Sequence, residues 1–78
     1  MKAYEKLGLT SSDVIEIQKW MYPMVDNTAT ISEMITNVVQ RYEGAKLHYA
    51  LYILGNNMGQ AQIEEQLGIK HILNPEEI

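Results

Sequence analysis

The chain of 78 residues has no cysteine, so no disulfide or thiolate-bound metal can staple its fold. That absence is compatible with a reducing cytosol. Cations are scarce. Lys2, Lys6, Lys19, Arg41, Lys46 and Lys70 face ten carboxylates, for a net charge of −4. No two cations are adjacent. Duplex nucleic acid is held chiefly by neutralising several phosphates at once, and a chain without a basic patch is poorly equipped for it. Long apolar runs are missing too. The longest, Ala50 to Leu54, falls far short of the ~20 residues that span a bilayer. The opening Met1-Lys2-Ala3-Tyr4-Glu5 carries no hydrophobic targeting segment. The expectation is a soluble, cytoplasmic protein.

Catalytic signatures are also lacking. No nucleophile elbow, phosphate-cradling glycine loop or His-x-x-x-His helix occurs. His48 and His71 are the only imidazoles. A helical metal site wants a second ligand three or four residues away, but around His48 those places hold Gly44, Ala45, Leu51 and Tyr52. Both histidines read as solvent-facing or hydrogen-bonded structural residues. Asp13 and Glu16 lie one turn apart, where a helix start places carboxylates to complement its dipole. The chain is therefore read as non-enzymatic, with no cofactor and no metal.

What the sequence does contain is helix. An apolar content of 46% argues against disorder, and the length allows a single domain over 1–78 with one marginal core. A short helix over about 2–7 ends at Gly8. Thr10-Ser-Ser-Asp13 reads as a capping box. The helix it starts carries Val14, Ile17, Met21 and Met24 on one face and should stop or kink at Pro23. Thr30-Ile-Ser-Glu33 is a second capping box. Glu5-Lys-Leu-Gly-Leu9 and Glu65-Gln-Leu-Gly-Ile69 both read as glycine helix stops followed by a folded-back apolar residue.

From Ile31 to Leu54 an apolar stripe keeps helical phase: Ile31, Met34, Ile35, Val38, Val39, Tyr42, Ala45, Tyr49, Tyr52 and Ile53. Up to Glu43 the opposite face is polar. After Gly44 it becomes Leu47, Ala50, Leu51 and Leu54. Gly44 could end one helix in a left-handed cap, but the unbroken phase favours one long helix over 31–54, stopped by Gly55-Asn56-Asn57. A short helix over about 58–67 follows, ended by Gly68. The fold expected is all-α, a small bundle of four helices around that long central one, or five if Gly44 breaks it.

A helix apolar nearly all round needs cover on most sides, and the flanking helices are short. The predicted function is accordingly a protein–protein interaction module of regulatory or adaptor type. It would pair with itself as a homodimer and with an unidentified protein partner. The candidate interface is Leu47, Ala50, Leu51, Leu54, Tyr42 and Tyr49. The tyrosine row, with Trp20 and Tyr22 on the preceding helix, reads as core or self-interface.

The segment Gln60-Ala-Gln-Ile-Glu-Glu-Gln-Leu-Gly-Ile69 resembles the first helix and turn of bacterial helix-turn-helix domains. Ile63, Leu67 and Ile69 fall at the motif's apolar positions and Gly68 at its turn. The resemblance covers about ten residues. It implies an alternative, a nucleic-acid-binding regulator using 58–78, with Gln60, Gln62, Lys70 and His71 facing the duplex. Two residues depart from the pattern. Glu64 stands where the family needs a small side chain, and Pro75 interrupts the stretch that should form the recognition helix. Asn74-Pro75-Glu76-Glu77 itself has the marks of a helix start. It is expected either to dock as a single turn through Ile72, Leu73 and Ile78, with Leu73 buried, or to mark a chain that continues beyond Ile78.

Overall fold

A computed structural model describes residues 2–68, and these form five helices: α1 (Ala3–Lys6), α2 (Ser11–Asp26), α3 (Ile31–Arg41), α4 (Gly44–Met58) and α5 (Gln60–Leu67). The fold is all-α. The expected turn at 74–77 and the burial of Leu73 lie outside the described residues.

Local chemistry sets most of the helix ends. Gly8, at φ 78°, closes α1 in a Schellman pattern: its N–H donates to the Glu5 carbonyl at 3.0 Å and that of Leu9 to Tyr4 at 3.0 Å. Gly68 ends α5 in the same left-handed conformation. At the start of α2 the Asp13 amide donates to the Thr10 hydroxyl at 3.2 Å. The Thr10 amide donates back to the Asp13 carboxylate at 2.9 Å, completing the box. At α3 half of the expected box forms: the Glu33 amide donates to the Thr30 hydroxyl at 3.2 Å.

Three expectations need correction. Of the stop or kink expected at Pro23, the stop does not occur, and α2 runs on to Asp26. Its last turn is secured instead by side chains, Asn27 Nδ2 donating to the Pro23 carbonyl at 2.8 Å and Thr28 Oγ1 to that of Met24 at 2.6 Å. Gly55 does not stop α4 either. It is buried inside that helix, and a Cβ there would meet Gln60 Cγ at 3.0 Å, so it is the point where α5 closes down on α4. The stop falls four residues later at Gly59, φ 97°, a one-residue joint between α4 and α5.

The third correction is the largest. The helix expected over 31–54 is two helices. Tyr42 and Glu43 are extended, at φ −122° and −140°, and Gly44 stands at φ 62°. The last helical bond of α3 runs from the Tyr42 amide to the Val38 carbonyl at 3.0 Å. The break is therefore a two-residue extended link ahead of the glycine, giving the five-helix form of the bundle.

The core is built on α4, against which α2, α3 and α5 all pack. Ile17 and Met21 come from α2, Met34, Ile35 and Val38 from α3, and Ile63 from α5. They meet Tyr49, Ala50, Leu51, Ile53 and Leu54, with Tyr42 from the link. Val39, placed on the apolar stripe by its spacing, is 46% exposed. Breaking the helix frees α3 to rotate, so Val38 alone of that pair faces inward.

Candidate interaction surface

The six residues expected at a self-interface lie inside a single chain. Ala50 and Leu54 are fully buried, and Leu51, Tyr42 and Tyr49 are 4–8% exposed. Leu47 is half-buried and packed on the same core. One chain thus covers both sides of 47–54, contrary to the premise of the homodimer argument. It can do so because the break at 42–43 folds α3 back onto α4, while α5 folds back from the other end.

Tyr49 is the centre of a tyrosine group. Its ring stands edge-on to Tyr4 at 6.3 Å and tilted to Tyr52 at 5.8 Å. Burial, and to a smaller degree the neighbouring phenols of Tyr52, Tyr22 and Tyr4, push the Tyr49 hydroxyl above its ordinary range. This keeps the phenol neutral and makes it a weaker acid. Tyr22 itself is largely exposed, as is Ile15 one face-repeat earlier on α2.

A second aromatic group forms at the α3–α4 link. The link turns the Tyr42 ring inward against Trp20 of α2, edge-on at 5.5 Å. Arg41, the last residue of α3, lays its guanidinium over both rings, 5.2 Å from Trp20 and 5.4 Å from Tyr42. Its Nε donates to the Tyr42 hydroxyl at 3.3 Å. Among the described residues no carboxylate pairs with it: the two ion pairs belong to Lys46, with Asp13 at 3.7 Å and Glu16 at 3.6 Å. Arg41 separates two shallow depressions. One, of about 520 Å³, is lined by Trp20, Met24, Asn37, Gln40 and Arg41. The other, of about 340 Å³, is lined by Glu16, Arg41, Tyr42, Glu43 and Lys46.

The alternative nucleic-acid residues are not gathered into a site. Gln60 packs its side chain against Gly55 and Gln62 is exposed on α5. Lys70 and His71 lie outside the described residues. His48 is neither solvent-facing at its Nε2 nor hydrogen-bonded there: that atom is buried without a partner among the described residues. No group of three or more His, Asp or Glu residues that could hold a metal occurs among the described residues, and no described helix is long and apolar enough to cross a membrane.

Sequence reasoning placed Trp20 on α2 but missed its partnership with Arg41. The signal available was weak: an arginine beside a tyrosine at the foot of a helix, with one tryptophan elsewhere. Comparison with known proteins found no matching family model, no matching curated protein and no matching solved structure.

Proposed function

We propose that this chain is a non-enzymatic protein-binding module whose contact surface is Arg41, held over the Trp20 and Tyr42 rings, and the depression beside it. The observation that carries this reading is the state of Arg41: exposed, stacked on two rings, and without a carboxylate partner among the described residues. Stacking orients the guanidinium in advance, so less freedom is lost when a ligand takes its remaining N–H groups. Tryptophan, tyrosine and arginine are also the residues that most often dominate binding energy at interfaces.

The lining supports one partner chemistry. Arg41 offers charge-assisted donors to a carboxylate, Asn37 and Gln40 offer amides to a peptide backbone, and Trp20 with Met24 offers apolar contact. The occupant is a protein segment bearing an acidic residue next to an apolar one.

Trp20 is the single tryptophan, so its emission reports occupancy directly. Titration with a library of short acidic–apolar peptides should shift that emission for a subset of sequences. The response should weaken as salt rises and disappear in Arg41→Ala. If no peptide of the library separates the wild type from Arg41→Ala, the surface is only a structural stack. A response to generic duplex DNA instead, falling steeply with salt, would transfer the function to nucleic-acid binding.

A further inference from the structure

We infer that α4 and α5 can exchange between two copies of this chain, the link at 42–43 acting as the hinge. Three independent observations converge on it. First, the apolar spacing holds its helical phase from Ile31 to Ile53, across the residues where the helix is broken. Made helical, Tyr42 and Glu43 would join α3 to α4 in register. Second, the start of α4 is poorly satisfied. Glu43 provides no side-chain cap, and the first amide bond of the helix, from Leu47 to the Glu43 carbonyl, is long at 3.5 Å. A continuous helix would give the amides of residues 43–46 the carbonyls of residues 39–42. Third, Gly44 holds a left-handed conformation with open space around it, so a side chain placed there strains the backbone of the closed form without a steric clash.

The joined helix, over 31–58, would be about 42 Å long, more than the 33 Å longest dimension of the molecule. Straightening therefore lifts α3 off the chain's own α4. The core face of α4 exposed by this shares one buried cluster with Met34, Ile35 and Val38 of α3 in the closed chain. The surface that fits that face is the same set on a second copy. The contacts made between two copies are those already made within one, which is the condition for exchange through a short hinge.

The test uses the full chain, refolded at millimolar concentration and separated by size exclusion with light scattering. Gly44→Ala penalises the left-handed closed form and favours the helix, and should raise the dimer fraction about tenfold or more over the wild type. Two glycines inserted between Tyr42 and Glu43 should return it to monomer. Exchange is then identified by distance. Spin labels at Ser32→Cys and Asn57→Cys, diluted with unlabelled chain, should move to about 38 Å apart in the dimer and lie closer in the monomer. A folded Gly44→Ala that stays monomeric overturns the inference. So does a dimer in which the labels keep their monomer distance. Should Gly44→Ala not fold by circular dichroism, the wild type refolded at millimolar concentration is judged on the label distances: a dimer fraction at about 38 Å supports the exchange, and no dimer, or one at the monomer distance, overturns it.

Discussion

α2 crosses a proline without stopping, whereas the stripe from Ile31 to Ile53 breaks where no proline stands. At Pro23 the helix loses one hydrogen bond, to the Lys19 carbonyl, but continuing lets Met24 and Val25 reach the core. Asn27 and Thr28 then close the end. At 42–43 nothing local forbids a helix. Continuing would carry Met34, Ile35 and Val38 away from α4, on which α3 packs. In a chain this small the burial of three large side chains outweighs a turn of helix. Local breakers nominate helix ends, and burial decides among them.

The largest effect expected from this comparison is at the place where the two regions meet. Leu54 of α4 is fully buried in the core to which α2 and α3 both contribute, and Leu54→Ala should cost about 2–5 kcal/mol. A domain of this size has only about 3–5 kcal/mol in total, so the variant should be largely unfolded at room temperature by circular dichroism. A melting curve close to the wild type would show that α4 is not the common core element.

The comparison sharpens at Pro23, which is exposed. Pro23→Ala restores an amide within an intact helix and should raise stability by about 1–3 kcal/mol, less whatever the proline withholds from the unfolded chain. A higher urea midpoint is the readout. A lower one would mean that the proline, and not burial, shapes the end of α2.

Next comes the cap that starts α2. Thr10→Ala should cost about 0.5–2 kcal/mol, seen as a lower melting temperature. Its partner Asp13 adds a pH signature. The Thr10 backbone amide first, the Thr10 hydroxyl next, and Lys46 hold the Asp13 carboxyl below its ordinary range. A depressed carboxyl contributes stability that is present above its unfolded value near ~3.9 and is lost as pH falls through the lower folded value. The acid limb of stability against pH should accordingly flatten in Asp13→Asn. A comparable effect is expected at Arg41. Arg41→Ala removes exposed contacts with two rings, worth about 1–2 kcal/mol together at such sites, so its melting temperature should fall by several degrees while the chain still folds and peptide binding is lost.

Much of the fold was legible because it is written in short-range chemistry. Gly8, Thr10 with Asp13, Thr30 and Gly68 each act within four residues, and each ends or starts a helix as its sequence implies. The inward face of α2 was equally readable from Ile17 and Met21. Illegible were the features fixed by distant partners. Gly55 carries the sequence mark of a stop, yet it serves as the gap into which Gln60 fits. Val39 and Val38 are chemically equivalent, and only the folding-back of α3 distinguishes them. The Trp20–Arg41 contact joins residues 21 apart through the link at 42–43, whose existence the continuous phase of the stripe concealed.

The single-residue joint at Gly59 has a consequence for how the molecule opens. Gly59 donates to the Gly55 carbonyl at 2.7 Å, and α5 begins immediately, with Gln60 against Gly55 and Ile63 fully buried. No slack separates α4 from α5, so neither can fray without the other. Their backbone amides should exchange with deuterium together and last, as one cooperative unit. The four residues of α1, none of them fully buried, should exchange early and independently.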